Sequence, residues 1–214
     1  MIAGQAWRWS TLFLLGAYHG INPGMGWLFA VALGMQESSG RAVVRALVPI
    51  ACGHAIAIAF VIVVARLVQF VLPLDYVKIA VAAALVGLGL YRLVRSRHFA
   101  WGGMRVGFRD LAVWSFLMAS AHGAGLMVLP VVIGLGAVHA ASGDHLHMHM
   151  AEDPRTLVTA TLVHTAGYLV FTAALALVVY RKLGLALLRS AWFNLDRVWA
   201  IALIATGAAA VLAR

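Results

Sequence analysis

Long apolar runs separated by short polar segments dominate the chain. Six of these runs can form a helix of about 20 residues, the length that crosses roughly 30 Å of hydrocarbon. We expect these helices at residues 10–35, 47–70, 75–94, 111–140, 157–180 and 196–213. The first and fourth runs exceed one bilayer thickness, so they are expected to be tilted or broken. The pattern predicts an all-α polytopic membrane protein with six transmembrane helices.

Composition supports the same class. Hydrophobic residues make up 64% of the 214 residues, charged residues only 11%, and the mean hydropathy is +0.95. A water-soluble domain of this size could not bury so many apolar side chains. The single cysteine, Cys52, excludes an intramolecular disulfide and a CxxC redox or zinc motif. The lipid bilayer is therefore the expected surroundings, and the first span is expected to stay attached rather than act as a cleaved signal peptide.

The basic residues are divided unevenly between the segments that connect the predicted spans. The net charge is +9, but the basic residues form short clusters between apolar runs, so no nucleic-acid partner is expected. One side of the predicted topology carries Arg41, Arg45, Arg92, Arg95, Arg97, Arg105, Arg109, Arg181, Lys182, Arg189 and Arg197. This excess assigns that side to the cytoplasm and predicts a multi-pass protein of the cell inner membrane, with both termini in the periplasm.

Two stretches of the sequence resemble each other. FLLGAYHGINPGMGWLFAVALG, residues 13–34, and FLMASAHGAGLMVLPVVIGLGAV, residues 116–138, both place His-Gly six residues after the opening Phe. The next predicted span in each half carries one histidine, His54 and His164. The alternative explanation is the general likeness of membrane helices rich in Leu, Ala, Val and Gly. The shared histidines favour a true internal repeat.

The repeat divides the chain into residues 1–100 and 101–214, each with three spans. Because three is an odd number, the two halves are expected to have opposite orientations in the membrane. Each half is expected to begin with a broken helix. Inverted three-helix repeats whose broken helices meet near the midplane are typical of secondary transporters.

Four of the six predicted spans carry one histidine each: His19, His54, His122 and His164. Ionisable side chains at membrane depth are costly when charged, so they usually face the bundle interior and find partners there. A neutral imidazole can ligate a metal, carry a proton or form an interhelical hydrogen bond. Because the four occupy matching positions in the two halves, we interpret them as a functional site.

A helix breaker follows the first histidine. Pro23 removes a backbone donor, while Gly24 and Gly26 tolerate irregular dihedral angles. Freed backbone groups within a membrane are tolerated only where they line a cavity enclosed by protein or water. An ordinary proline kink is the alternative. His19, Asn22 and Met25 are spaced three residues apart, so they would lie close to one face if they were helical.

Methionine accompanies histidine in both halves. Met25 follows His19, and Met127 follows His122. Imidazole, thioether and backbone oxygen together suit soft to borderline transition-metal ions rather than Ca²⁺ or Mg²⁺. The predicted midplane metal site is formed by His19, Asn22, Met25, His54, His122, Met127 and His164.

The segment at 139–155 is rich in metal-ligating residues and is expected to be an external loop. Its candidate ligands are His139, Asp144, His145, His147, His149 and Glu152, with Met148 and Met150 between them. Its internal position argues against the remnant of an affinity tag. We interpret it as a loop that captures metal ions.

The stretch His19-Gly20-Ile21-Asn22-Pro23-Gly24-Met25-Gly26-Trp27 resembles the nickel/cobalt exporter family, which belongs to the lysine-exporter superfamily of six-span transporters. That family carries the first-helix motif His-x-x-x-Pro-Gly-His-Gly-Lys, a histidine in the second helix and often a His-rich loop. His19, Pro23, Gly24 and Gly26 match the motif, and His54 matches the second-helix histidine. Met25 and Trp27 replace the motif's His and Lys. The resemblance implies metal export.

These observations predict a secondary transporter rather than an enzyme. Its substrate would be a transition-metal ion, Ni, Co, Cu or Zn, and no other cofactor is expected. Partners that fit this function are a second copy of the chain and a periplasmic metal chaperone. The alternative is a membrane protein whose paired histidines hold haem or a fixed metal for electron transfer or sensing.

Overall fold

The described part of the chain is built from helices. The computed structural model describes residues 2–69, 71–94, 107–140, 154–183 and 195–212. Its α-helices are α1 (Ile2–Ile21), α2 (Trp27–Gln36), α3 (Gly40–Gln69), α4 (Leu74–Val94), α5 (Phe108–Ala121), α6 (Ala124–Ala140), α7 (Pro154–Val178) and α8 (Leu195–Leu212). A 3₁₀ turn at Pro23–Met25 separates α1 from α2, and a π-helical turn at Val179–Leu183 extends α7. The predicted all-α class is confirmed for these residues.

Each of the six apolar runs is helical in the structure, and the two longest are broken as predicted. The first run forms α1 and α2, and the fourth forms α5 and α6, which meet at a bend of 61°. The predicted start of α3 at residue 47 is wrong, because the polar turn containing Arg41 and Arg45 continues the helix back to Gly40.

Two helices of the described chain are long and apolar enough to cross a membrane. They cover Gly40–Gln69 and Pro154–Lys182, and the bent pair α5 and α6 adds a third if it is counted as one span. Large apolar side chains such as Val48, Phe60 and Leu67 remain exposed on α3. Exposed apolar side chains of this kind are suited to contact with lipid rather than water.

Small residues allow the helices that cross near the centre to approach closely. α1 packs on α7, and α3 packs on α5. A Cβ added to Gly16 would overlap the carbonyl oxygen of His164, and one added to Gly167 would overlap that of Phe13. Gly53 of α3 lies equally close to α5. Backbone contact through small residues is the usual means of helix association in membranes, where no hydrophobic effect drives the helices together.

The contact between α4 and α8 is reciprocal. A Cβ on Gly89 would lie 2.8 Å from the carbonyl oxygen of Ala200, and a Cβ on Gly207 would lie 3.0 Å from that of Ala82. Gly207 lies 118 positions after Gly89, and Ala200 lies 118 positions after Ala82. Each helix therefore contacts the other through one glycine and one alanine at matching positions.

Candidate functional site

Three of the predicted histidines meet in the interior of the bundle. His19 lies near the end of α1, His54 in the middle of α3 and His164 in α7, and each is 0% exposed. The ring centroid of His19 lies 5.6 Å from that of His54 and 5.1 Å from that of His164, and the other two centroids are 5.5 Å apart. We call these three residues the histidine cluster.

The tautomer of His19 is set by its own helix. Its Nδ1 lies 2.8 Å from the carbonyl oxygen of Leu15, which can only accept, so Nδ1 carries the hydrogen and Nε2 carries the lone pair. His122 forms the same bond in the second half, from Nδ1 to the carbonyl oxygen of Met118 at 2.8 Å. A hydrogen bond of this kind orients a neutral imidazole whose other nitrogen can act as a ligand.

The ring nitrogens of His54 have no hydrogen-bond partner in the part of the chain that the structure describes. Within the described residues, both nitrogens are buried and neither meets a donor or an acceptor. The nitrogens of His164 also form no direct hydrogen bond of good geometry there, although the Leu12 backbone lies close by. A buried unsatisfied polar group costs about 1–3 kcal/mol, and such groups are rare enough to require an explanation. Packing alone would have favoured an apolar residue at position 54.

Tyr168 is a member of the site that the sequence analysis missed. Its ring lies parallel to that of His54, with an interplanar angle of 7° and centroids 3.9 Å apart. Its hydroxyl group donates a hydrogen bond of 2.5 Å to the carbonyl oxygen of Met25. The available signal was its position four residues after His164, which places both side chains on one face of α7.

The break after α1 is a capped turn rather than a simple kink. Asn22 has an extended conformation, and its Oδ1 accepts a hydrogen bond of 2.9 Å from the backbone N–H of Gly24. Gly26 has φ +117°, in the left-handed region that favours glycine. His19, Asn22 and Met25 would share one face only if they were all helical, and that condition is not met, because α1 ends at Ile21.

The carbonyl groups freed by the break are bonded to side chains. The Trp27 indole donates to the carbonyl of Ile21 at 3.2 Å, and the hydroxyl of Thr172 donates to that of Gly20 at 3.4 Å. Tyr168 donates to the carbonyl of Met25, as described above. The expectation that these oxygens are free to line the site is therefore wrong for this conformation. Trp27 stands where the first-helix motif of the resembling family has Lys, and its indole bonds to Ile21, the last residue of α1.

The remaining candidates of the midplane site lie around the turn. His122 is 2% exposed at the end of α5, and a Cβ on Gly24 would lie 3.9 Å from its Cε1 atom. It thus packs against the break, beside the histidine cluster. Met25 and Met127 are each 1% exposed and belong to the hydrophobic core. Asn22 is also buried, and its Nδ2 has no hydrogen-bond partner in the described residues.

Most of the predicted external loop at 139–155 lies outside the described residues, and only its two ends belong to α6 and α7. Asp144, His145, His147 and His149 lie outside the described residues. The backbone of His139 belongs to α6, but its side chain is also outside them. The predicted capture of metal by this loop therefore stays a prediction.

The histidine cluster does not form a metal site as it stands, although its ring centroids are close together. Within the described ranges, no group of three or more His, Cys, Asp or Glu side chains is arranged to hold an ion as it stands. Metal–nitrogen bonds of about 2.0–2.1 Å in a tetrahedral shell would place imidazole centroids about 5 Å apart. The observed separations of 5.1–5.6 Å are close to that value. Rotation of the rings, without a large shift of the helices, would be needed to direct three nitrogens at one ion.

Fold and site together define an all-helical bundle with apolar helices of membrane-spanning length and a buried histidine cluster. The sequence matches no protein-family model, no curated protein and no solved structure. The residues of the site are therefore the basis for proposing a function.

Proposed function

We propose that the protein is a six-span secondary transporter whose substrate is a transition-metal ion. The proposal is carried by the buried histidine cluster, which three separate helices contribute beside a broken helix. Imidazole nitrogens suit Ni²⁺, Co²⁺, Cu and Zn²⁺. Ionisable side chains in the interior of a membrane protein commonly mark the path of an ion. The unpartnered nitrogens of His54 add support, because a ligand would satisfy them.

Reciprocal packing supports the proposed inverted repeats. The first helix of each half packs on the second helix of the other half, α1 on α7 and α5 on α3, while the third helices α4 and α8 pack on each other. His19 and His122 also form the same hydrogen bond to their own helices. Rocking of the two halves about the cluster would expose it alternately to the two sides of the membrane.

The direction of transport is proposed from the resemblance to metal exporters. The excess of basic residues on one side supports an inner-membrane protein with periplasmic termini. In this orientation the segment at 139–155 lies outside, where it would collect or release the ion. A second copy of the chain or a periplasmic metal chaperone would act from the same side.

The packing of the cluster favours an ion over haem. A haem with two histidine ligands needs the imidazoles on opposite faces of a wide, flat ring. His54 instead stacks on Tyr168 at 3.9 Å and lies parallel to His164 within 6°. We expect the purified protein to show no Soret band.

Transport assays in proteoliposomes test the proposal. Vesicles loaded with a metal-sensitive dye would receive Ni²⁺, Co²⁺, Zn²⁺ or Cu⁺, and wild type would be compared with His54→Ala and His164→Ala. We expect wild type to carry at least one ion and each variant to lose about tenfold or more of the flux, since each lacks a ligand. Thr161→Ala is the matched control, because within the described residues its hydroxyl bonds to the Leu157 carbonyl of the same helix. Equal flux in wild type and cluster variants would contradict the proposal.

A further inference from the structure

Tyr168 touches both the histidine cluster and the helix break. Its ring covers one face of His54, and its hydroxyl bonds to the carbonyl oxygen of Met25 in the turn. Tyr168 is completely buried, and its rigid side chain connects these two contacts through one aromatic ring. Within the proposed site, Tyr168 therefore gives a change at His54 a direct route to the turn.

We propose that Tyr168 is a positioning residue that couples ion binding at the cluster to the conformation of the Pro23–Met25 turn. This inference rests on the proposed function. The three histidines do not form a metal site in this conformation although their ring centroids lie only 5.1–5.6 Å apart, so we infer that binding rotates their rings. A rotated His54 ring cannot keep its parallel contact with Tyr168. The tyrosine ring must follow, which moves its hydroxyl away from the Met25 carbonyl.

Loss of that hydrogen bond would release the turn. The Met25 carbonyl is no longer part of a continuous helix, and its side-chain donor comes from another helix. A buried carbonyl without a donor is unfavourable, so the turn would rearrange to find a new partner. The 3₁₀ turn is short and flanked by Gly26, whose backbone can change direction at low cost.

Among the described residues, the break between α5 and α6 has no equivalent of this contact at the matching position. Ile58 stands four residues after His54, the place that Tyr168 occupies relative to His164, and it is buried and apolar. It cannot donate a hydrogen bond to the break between α5 and α6. The proposed coupling therefore assigns the ion-responsive movement to the first break and leaves the second as a fixed bend.

Hydrogen exchange of the turn, followed by mass spectrometry, tests this coupling. Tyr168→Phe keeps the ring on His54 and removes only the hydroxyl. We expect the amides of Met25 and Gly26 to exchange about 2- to 10-fold faster in this variant without ion, the change produced by losing one net hydrogen bond. In wild type, addition of Ni²⁺ is expected to accelerate the same amides. In Tyr168→Phe, Ni²⁺ is expected to add little.

Tyr180→Phe is the matched control, because it removes a tyrosine hydroxyl from the π-helical turn that extends α7, away from the cluster. Exchange at the turn should equal that of wild type in this variant. Transport gives a second readout: Tyr168→Phe should retain KM within about twofold while kcat changes severalfold, since the ligands remain and the coupling is lost.

The outcomes separate this inference from the proposed function. Unchanged exchange at the turn in folded Tyr168→Phe protein overturns the coupling even if wild type transports metal. If Tyr168→Phe does not fold, wild type still decides, because a turn that does not respond to bound Ni²⁺ also overturns it. Wild type that neither binds nor carries any of the four ions defeats the proposed function instead. The exchange comparison without ion still reports whether the hydroxyl holds the turn.

Discussion

The ring of Tyr168 lies parallel to that of His54 at a centroid distance of 3.9 Å. An aromatic face thus covers a histidine whose two nitrogens have no partner among the described residues. A phenylalanine would keep an aromatic ring against Tyr168 without this polar cost. The histidine is therefore better explained by a ligand than by the packing of the bundle.

Replacement of His54 by Phe tests this interpretation. His54→Phe keeps the ring stack and removes two unsatisfied nitrogens, so we expect the metal-free protein to gain about 1 kcal/mol in free energy of unfolding. Metal binding should be lost. His54→Ala is the contrast, because it leaves a cavity and should cost about 2 kcal/mol or more. Thermal unfolding in detergent measures both, and equal losses of stability in the two variants would contradict the interpretation.

Two tryptophans allow a controlled test of how the end of α1 is stabilised. Trp27 donates to the carbonyl oxygen of Ile21, whereas the buried indole nitrogen of Trp114 has no hydrogen-bond partner within the part of the chain that the structure describes. Trp27→Phe should therefore destabilise the protein by about 1 kcal/mol, and Trp114→Phe should be neutral or stabilising. Unfolding midpoints measured in the same detergent provide the comparison. The reverse order of stability would show that Trp27 does not support the end of α1.

The close crossing of α1 and α7 predicts a strong response to a single methyl group. Gly16→Ala and Gly167→Ala would each place a Cβ against a carbonyl oxygen of the other helix, so each should cost several kcal/mol or prevent folding. Gly87→Ala is the control, because its added Cβ would meet no described atom within 4 Å apart from the backbone of its own helix and its chain neighbours. This control should be neutral or gain up to about 1 kcal/mol from helix propensity. Size-exclusion profiles and unfolding midpoints distinguish these results, and tolerance of Ala at Gly16 would contradict the crossing.

The proposed topology predicts opposite accessibility for two exposed positions. Gln36 ends α2, and Val71 lies between α3 and α4 with 82% exposure. In a Cys52→Ser background, Gln36→Cys should react with a membrane-impermeant maleimide only from the cytoplasmic side. Val71→Cys should react only from the periplasmic side. Labelling of intact cells and inverted vesicles makes the measurement, and reaction of both positions from one side would contradict a span between them.

The sequence predicted the helices and all three residues of the histidine cluster because both depend on local pattern. Apolar runs mark helices, and a buried histidine at matching positions in several spans indicates a shared interior location. The bonds around the break could not be predicted, since Tyr168 and Thr172 reach it from a helix more than 100 positions later in the chain. In the sequence, Tyr168 is one of several aromatic residues in apolar runs. Its contact with the turn follows only from the packing of α1 on α7. His122 shows the same limit, because its position relative to the turn depends on how α5 crosses the bundle.

The central claim is that the histidine cluster binds a transition-metal ion, and elemental analysis of the purified protein tests it most directly. Metal binding by the predicted external loop must first be removed by replacing His139, His145, His147 and His149 with Ala. After equilibration with Ni²⁺, Co²⁺, Zn²⁺ or Cu⁺ and removal of excess ion, this loop variant should retain about one ion per chain. Further replacement of His54 and His164 by Ala should abolish that retention. Equal metal content in the two proteins, or none in the loop variant, would contradict the account.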